Sequence, residues 1–299
     1  MECWICKNMT ASVWKERNLD RELCPSDFRI TDARYGVTLK LLQCSECRFI
    51  YADGDELRQL QSLYEQMEDP GYAEGLDNRR LQMRWLASKI VRMYPQAHSA
   101  LEVGAGVGIL VADLKARGIQ VDGVEPSHSL VEQARILSGV ELQEGLYPHS
   151  NLVGQRYDYV FLVDVIEHVG DPLSLMEHCR NAMTENGRFI VVTPDISSIA
   201  ARLLGKRWWH LRLAHVGYFN RKTMELAADK VDMIVENSFR PLWFFPISYL
   251  AERLAVYLPL EWLNRLADRI VPLRWLYERI VPLNIADSYV FVLRKTKTL

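Results

Sequence analysis

The 299-residue sequence lacks several features that would place it in a specialised class of protein. No uninterrupted apolar run approaches the roughly 20 residues that a membrane-spanning helix needs. The N-terminus has no basic stretch followed by an apolar core, so we expect no secretory signal and a cytoplasmic protein. The net charge is only −2, which gives no general attraction to nucleic acid, and we expect no nucleic-acid partner. The remaining composition, 49% hydrophobic and 25% charged, is typical of a soluble globular protein.

Cysteine is scarce outside one short region, because five of the six cysteines lie in the first 47 residues. Four of them form two C-x-x-C pairs: Cys3 with Cys6, and Cys44 with Cys47. Two such pairs can supply the four thiolates of a structural zinc site, and we predict a zinc-binding module over residues 1–52. Lys7 and Arg48 stand where zinc knuckles usually carry glycine, and Cys24 is a spare or an alternative ligand. The competing interpretation is a small subdomain with unligated, buried thiols.

A glycine-rich stretch, Gly104-Ala105-Gly106-Val107-Gly108, follows an apolar run that predicts a buried strand. A second apolar run, at 119–124, ends in Glu125. A glycine turn brings the backbone close to a ligand, and an acid at the tip of the next strand is placed to bind two ribose hydroxyls. The pattern therefore predicts a cofactor of the adenosine type.

The spacing of the glycines indicates which cofactor. A dinucleotide-binding turn reads G-x-G-x-x-G and points a helix N-terminus at a pyrophosphate, whereas this turn reads G-x-G-x-G and is followed by Ile109. Glu102 would place a negative charge beside a phosphate, but it suits a cationic ligand. S-adenosylmethionine carries an ammonium and a sulfonium and has no phosphate. Two alternatives remain: an NAD(P)-dependent oxidoreductase, and an ordinary strand–turn–helix with tightly packed glycines.

Strands and helices alternate from about residue 97. The predicted strands are 97–103, 119–124, 140–142, 157–163 and 188–193, followed by 233–235 and 288–293. Such alternation predicts an α/β, Rossmann-like, mainly parallel sheet with helices on both faces. Ligands bind at the carboxyl ends of such strands, where Gly104, Glu125, Asp164 and Pro194 fall.

A second motif, Asp164-Val165-Ile166-Glu167-His168, follows the fourth predicted strand. His168 is a candidate general base, because an imidazole near neutrality suits the removal of a hydroxyl proton. Alternatively, Asp164, Glu167 and His168 ligate a divalent ion that His210 or His215 completes. The third interpretation is a loop whose histidine has only a structural role.

The glycine motif resembles motif I of class I S-adenosylmethionine-dependent methyltransferases, and the Glu167-His168 run resembles ubiquinone-type O-methyltransferases. The cysteine module resembles zinc-ribbon-fronted methyltransferases of sugar and surface-polysaccharide pathways. The resemblance implies the cofactor contacts Glu102, Gly104, Ala105, Gly106, Gly108, Glu125, Pro126, Glu144, Asp164 and Val165. Many family members carry Asp near position 146 for the adenine, where this chain has Gln143-Glu144-Gly145-Leu146, so Gln143, Glu144 or the backbone takes that place.

The resemblance also implies an acceptor pocket near residues 208–219, where relatives often carry H-x-x-Y-F and where His215 stands in this chain. We therefore expect methyl transfer to a hydroxyl, or to a carbon, of a small molecule, with a sugar or a lipid-linked intermediate as the first candidate. His168 and His215 are the expected catalytic residues. A non-catalytic module that binds S-adenosylmethionine and zinc is a further alternative.

The expected organisation has five parts: a zinc module at 1–52, a helical cover at 53–95, the cofactor-binding core at 96–240, an insertion at 241–285, and the last strand and tail at 286–299. In the insertion, Arg-Ile-Val-Pro-Leu occurs twice, at 269 and at 279, and the apolar spacing predicts short amphipathic helices. Such helices can lie on a membrane surface and admit a lipid-linked substrate, or they can form a lid or a dimer face. The sequence does not indicate the oligomeric state.

Overall fold

The computed structural model describes residues 2–29, 34–54, 57–69, 75–248, 250 and 279–296. The strands are β1 (Ala11–Lys15), β2 (Leu41–Cys44), β3 (Ile50–Ala52), β4 (Ser99–Val103), β5 (Gln120–Glu125), β6 (Gln143–Glu144), β7 (Tyr157–Val163), β8 (Met183–Pro194), β9 (Gly217–Tyr218), β10 (Met233–Phe239), β11 (Trp243–Pro246), β12 (Ile280–Leu283) and β13 (Ser288–Lys295). The α-helices are α1 (Leu57–Glu65), α2 (Leu76–Met93), α3 (Ile109–Ala116), α4 (His128–Leu137), α5 (Pro172–Ala182), α6 (Ile199–Leu204) and α7 (Arg221–Lys230).

A seven-stranded sheet has the order β10-β13-β8-β7-β4-β5-β6. Neighbours from β8 through β6 run parallel, and β13 runs antiparallel to both β8 and β10. The predicted α/β, Rossmann-like fold is confirmed. Strand order reverses between β4 and β7, and ligands of open parallel sheets bind at the carboxyl ends beside such a switch point. Gly104 follows β4 and Asp164 follows β7, so both lie there.

The centres of β7 and β8 are apolar because both faces of the sheet are covered there. Val160, Phe161 and Leu162 of β7 are fully buried, as are Ile190 and Val191 of β8. Side-chain N-caps mark the starts of α4 and α5. The Ser127 side chain accepts from the Leu130 N–H, and the Asp171 side chain accepts from the Ser174 N–H.

A second, four-stranded sheet has the order β1-β2-β3-β9. Within the expected cysteine module, β2 and β3 form an antiparallel pair on either side of Cys47. The fourth strand, β9, comes from residues far along the chain, between α6 and α7. The N-terminal cysteine region therefore shares a sheet with the predicted acceptor region.

One predicted strand is wrong. Residues 140–142 are not a strand; the short β6 that pairs with β5 begins at Gln143. Val140 and Leu142 are buried for another reason, because Val140 covers Gly108 and Leu142 covers Gly123. Their apolar character reflects packing against glycines, where no side chain competes for the space.

The predicted helical insertion at 241–285 is wrong at its two ends. There the chain forms β11 and β12, which pair antiparallel, with Trp243 opposite Leu283 and Phe244 opposite Pro282. The second Arg-Ile-Val-Pro-Leu run therefore contributes a strand. The predicted amphipathic helices of 251–278, including the first copy of that run, lie outside the described residues. No helix in the described ranges is long and apolar enough to cross a membrane.

Candidate functional site

The glycine turn between β4 and α3 requires two of its glycines. Gly104 has φ 73° and Gly108 has φ 71°, in the left-handed region that favours glycine. A Cβ on Gly104 would lie 2.5 Å from Val165 Cγ2, and one on Gly108 would lie 2.4 Å from Val140 Cγ2. The turn is therefore held close to the chain that follows β7, and Val165, an expected cofactor contact, lies against Gly104.

Glu125 ends β5 with its carboxyl aimed at this turn. Oε2 accepts the Gly106 N–H at 2.9 Å, and Oε1 accepts the Ser127 N–H at 2.9 Å. Burial raises the pKa of Glu125 to about 7, although both of these hydrogen bonds oppose the shift. A carboxylate has about four lone-pair positions, so each oxygen retains one for a further donor. Pro126 lies between these two anchored residues, in the turn that leads to α4.

Glu102 is a second buried carboxyl beside the turn, within β4. Burial raises its pKa well above the ordinary value, and the neighbouring Glu125 adds to the shift. Its Oε2 is buried with no hydrogen-bond partner among the described residues. A buried acidic oxygen without a partner is costly, so this position favours a bound cation or hydrogen-bond donor.

A cover closes over the turn. Met67 is fully buried, and its carbonyl accepts a 3.1 Å hydrogen bond from Ser127 Oγ. Leu57, at the start of α1, lies within 3.9 Å of the position a Gly170 side chain would take. The region 53–95, expected to be a helical cover, contains α1 and α2, and the segment after α1 contacts Ser127 through the Met67 carbonyl.

The remaining expected cofactor residues lie at the same sheet edge but differ in their contacts. Ala105 is buried, and its N–H donates to Val124 O. Asp164 has φ 52° and donates its N–H to Val192 O, and desolvation raises the pKa of its carboxyl to about 6. Glu144 is paired beside Glu125, but its exposed carboxylate is bonded to His128 Nδ1 at 2.8 Å.

The predicted catalytic histidines are brought together, with ring centroids 4.8 Å apart. His168 Nδ1 lies 2.8 Å from Ala214 O; because a carbonyl only accepts, Nδ1 carries the hydrogen and Nε2 is an acceptor. Burial lowers the pKa of His168 to about 4 and that of His215 well below its ordinary value. Both rings are therefore neutral near pH 7, the form that can accept a proton.

Glu167 completes this acceptor-side cluster, which we define as Glu167, His168 and His215. Ligand atoms of the three lie within 4.8 Å of one another. Thr193 Oγ1 donates to Glu167 Oε2 at 2.9 Å, while Glu167 Oε1 and His215 Nδ1 are buried without a partner among the described residues. Burial raises the pKa of Glu167 well above its ordinary value, and Asp164 adds to the shift. These unpartnered acceptors converge where a donor or a cation would satisfy them.

His210 and Asp287 adjoin the cluster, and sequence reasoning missed the second of them. His210 Nε2 lies 3.0 Å from Asp287 Oδ2, which also accepts Trp209 Nε1–H at 2.8 Å. Asp287 is buried, yet these two donors hold its pKa below the ordinary value. It lies just before β13, and nothing local in the sequence links it to a histidine 77 positions away.

The four predicted zinc ligands form one cluster. Cys3 Sγ lies 3.6 Å from Cys47 Sγ, Cys6 Sγ lies 3.5 Å from Cys44 Sγ, and all four are within 4.8 Å of one another. These separations exclude disulfides and are near the ~3.8 Å expected between sulfurs of a tetrahedral zinc site with bonds of about 2.3 Å. Lys7 and Arg48 both have φ 63°, so they adopt the left-handed turn although neither is glycine.

Hydrogen bonds from the backbone also favour thiolates in this cluster. The amides of Cys47 and Glu46 lower the pKa of Cys44 below its ordinary value despite burial, whereas burial raises that of Cys3 to about 11. A metal cation would offset the burial cost for all four thiolates. Cys24 lies outside this group and is bonded to Ser26 and Asp27 instead.

Part of the sequence is similar to that of known proteins. The ubiquinone biosynthesis O-methyltransferases of Serratia proteamaculans and Yersinia pestis are 33% identical over 101 residues and 32% over 99 residues. These stretches cover 32% and 31% of this chain and only 42% and 41% of the relatives.

Two solved structures have a similar fold. One is a SAM dependent methyltransferase from Archaeoglobus fulgidus, with TM-score 0.50 and 13% identity, covering 76% of this chain and 100% of that chain. The other is a complex of the Haloferax volcanii Trm112 methyltransferase activator with a putative methyltransferase, with TM-score 0.54 and 13% identity, covering 82% of this chain and 100% of that chain. At these identities the likeness concerns the fold alone.

The model of a methyltransferase domain family matches residues 58–235, which include α1, the glycine turn, Glu125, the Glu167-His168 turn and β9. The match covers more than half of the chain, and the chain belongs to this family of methyltransferase domains.

Proposed function

We propose that this protein is an S-adenosylmethionine-dependent methyltransferase that acts on a hydroxyl, or on a carbon, of a small molecule. The observation that carries the proposal is the pair of buried carboxyls, Glu102 and Glu125, beside a tight glycine turn at the switch point of the sheet. A cation and a pair of ribose hydroxyls would satisfy these acceptors, whereas a pyrophosphate would be repelled.

The acceptor lies on the other side of the turn, against the cluster of Glu167, His168 and His215. The sulfonium makes the methyl group electrophilic, so the protein has to hold an oxygen or carbon in line with it and exclude water. Neutral His168, with Nε2 free of its own hydrogen, can take the proton of an acceptor hydroxyl. The ring of His215 is buried beside that of His168 and borders the same proposed acceptor position.

The cluster also supports a second role for the same residues, the binding of a divalent cation. Two imidazoles and a carboxylate are a donor set that suits several divalent metals, and Glu167 Oε1 and His215 Nδ1 are buried without a partner among the described residues. A cation here would lower the pKa of a bound substrate hydroxyl. Metal analysis of variants lacking Glu167 or His215 separates this role from that of a base.

We propose in addition that Cys3, Cys6, Cys44 and Cys47 bind one zinc ion with a structural role. The closed set of four sulfurs leaves no position for a substrate, which is typical of structural rather than catalytic zinc.

Two resemblances bear on the identity of the acceptor. The ubiquinone biosynthesis relatives are O-methyltransferases by name, which supports O-methylation. Zinc-ribbon-fronted methyltransferases of sugar pathways favour a sugar or a lipid-linked intermediate, and peripheral membrane contact through 241–285 would suit the second of these. We propose the small-molecule class and keep these acceptors as the first to be assayed.

Transfer of an isotopically labelled methyl group tests the activity. The full chain is incubated with methyl-labelled S-adenosylmethionine and a panel of sugar, nucleotide-sugar and phenolic acceptors, beside a Gly106→Arg variant that blocks the turn. We expect label in a small molecule with the natural sequence only. Binding of S-adenosylmethionine without transfer to any acceptor would favour the non-catalytic module, and hydride exchange with NAD(P) would favour an oxidoreductase.

A further inference from the structure

The loop that carries His215 completes the sheet of the cysteine module. β3 pairs with β9 antiparallel, with Ile50 opposite Tyr218 and Tyr51 opposite Gly217. β3 begins three residues after Cys47, and β9 begins two residues after His215. One short strand pair therefore joins the second cysteine pair to the acceptor side of the site.

Val216 links this strand pair to the other acceptor-side residues through hydrogen bonds of its backbone carbonyl and N–H. Its carbonyl accepts the Ala52 N–H at 2.7 Å, and its N–H donates to Glu167 O at 2.8 Å. The preceding Ala214 carbonyl receives the His168 ring hydrogen. Hydrogen bonds thus lead from β3 through Val216 to Glu167, and a separate one joins His168 to Ala214 of the same loop.

Aromatic packing reinforces the same contact. Trp4, inside the first cysteine pair, lies 5.3 Å from Tyr51 between ring centroids, and Phe49 lies 4.9 Å from Phe219. Gly217 is pressed against this group, because a Cβ there would be 3.3 Å from Phe49 Cζ and 3.4 Å from Trp4 Cζ3. Residues from beside both cysteine pairs therefore form the surface on which β9 rests.

The cofactor side is anchored differently. Gly104 and Ala105 donate their N–H groups to Val124 O, and Gly106 donates to Glu125. These contacts lie within the central sheet and involve neither β2 nor β3.

We propose that the cysteine module positions the acceptor side of the site: metal binding by its four cysteines keeps β3 ordered, and β3 through Val216 holds Glu167, His168 and His215 in place. The cofactor turn has hydrogen bonds of its own, to Val124 and Glu125 of β5. Val216 and Gly217 are positioning residues and not catalytic ones. The inference rests on the proposed zinc site and deepens the proposed function, because it gives the module a role in acceptor binding.

The module is held by two kinds of contact. Its strands of two to five residues pack against the main hydrophobic core, and a metal bound by the four cysteines would add to the stability of this sheet. Loss of the metal leaves four crowded thiols, of which those of Cys3 and Cys44 are buried, and β3 loses the support of the second cysteine pair. The order of residues 214–219 is lost with it, whereas the glycine turn keeps its contacts.

Hydrogen exchange of the full chain tests the proposal without an acceptor. We compare zinc-loaded protein with protein treated with a chelator under reducing conditions, and Cys47→Ser with the matched control Cys24→Ser, which lies outside the cluster. Metal removal and Cys47→Ser are expected to speed exchange in peptides covering 50–52 and 214–219 on the order of tenfold. Exchange at 103–109 and the affinity for S-adenosylmethionine are expected to stay within about twofold.

A Gly217→Val variant tests the connection without touching a ligand. It should keep one zinc per chain and still show faster exchange at 214–219; Gly217→Ala is the milder version if the first does not fold. The proposal is overturned if metal removal leaves exchange at 214–219 unchanged, if it loosens 103–109 equally, or if the chain binds no metal. Failure of the methyltransferase proposal has a different signature, a lack of S-adenosylmethionine binding in zinc-loaded protein with an ordered 214–219.

Discussion

The Glu125 carboxylate accepts the Gly106 N–H at 2.9 Å, so the end of β5 fixes the turn that follows β4. The same side chain is fully buried and accepts from Ser127 at the start of α4. One carboxyl thus joins two strand ends and a helix N-terminus around the place proposed for the cofactor ribose.

Replacement of this carboxyl should weaken cofactor binding strongly. Glu125→Gln substitutes an NH2 group for one of two acceptor oxygens, and that group would face an N–H donor. Lost hydrogen bonds to a charged group cost about 1.5–3 kcal/mol, or roughly 10- to 100-fold in affinity for S-adenosylmethionine. Calorimetric titration measures the loss. Glu141→Gln, an exposed acid paired with Arg135, is the control and should bind as the natural sequence does.

The pH dependence of stability should reveal the same carboxyl. Its pKa is about 7 in the folded protein and near 4.5 in the unfolded chain. The folded state therefore holds a proton that the unfolded state has released, and this contribution to stability is lost as pH rises from about 4.5 to 7.

Other groups titrate in that range, and the low pKa of His168 acts in the opposite direction. The informative quantity is therefore the free energy of unfolding of the natural sequence minus that of Glu125→Gln. Denaturant unfolding between pH 4.5 and 7.5 should show this difference falling as pH rises. A difference that is constant or that rises would contradict the burial of an acid at this position.

Gly108 offers a test of the close packing at the turn. Gly108→Ala and Gly139→Ala both place a side chain at positive φ, 71° and 66°, but only at Gly108 would the Cβ meet an atom within 4 Å. Both should lose about 1–2 kcal/mol from backbone strain, and Gly108→Ala should lose a further ~1–3 kcal/mol from the clash with Val140.

Thermal and denaturant unfolding measure both losses. Val140→Ala combined with Gly108→Ala should recover part of the second one, because the clashing methyl is gone. Equal losses for the two alanine variants would show that the turn is not as tightly packed as described.

The metal content of the chain is directly measurable. Freshly reduced protein should contain close to one zinc per chain, Cys24→Ser should match it, and Cys47→Ser should lose most of it. Zinc removal should also lower the unfolding temperature, since metal binding to a small module contributes to its folding free energy. A zinc content near zero in the reduced natural sequence would refute the site.

Sequence patterns predicted the elements whose burial is uniform. β4, β5, β7 and β8 were predicted from runs rich in apolar residues, because strands covered on both faces bury most of their side chains. β6 was misplaced, because Val140 and Leu142 are apolar for their packing on glycines. β9 was not predicted, because its two residues acquire strand geometry only by pairing with β3, more than 160 positions earlier.

The candidate site likewise has parts that the sequence predicts and parts that it does not. The glycine turn, Glu125 and the cysteine pairs were predicted because each is a local motif. In the structure Glu125 lies beside the glycine turn, and the four cysteines form one cluster. Asp287 and Thr193 were missed because their importance arises from partners, His210 and Glu167, that only the folded sheet places beside them. The expected ligand Glu144 is bonded to His128, a contact between α4 and β6 that no local pattern indicates.

Calorimetric titration of the full, zinc-loaded chain with S-adenosylmethionine and, in parallel, with NAD distinguishes the proposed cofactor from a dinucleotide. We expect saturable binding of one S-adenosylmethionine per chain, weakened roughly 10- to 100-fold in Glu125→Gln, and no measurable binding of NAD. Tighter binding of NAD, or no heat with S-adenosylmethionine, would contradict the proposal.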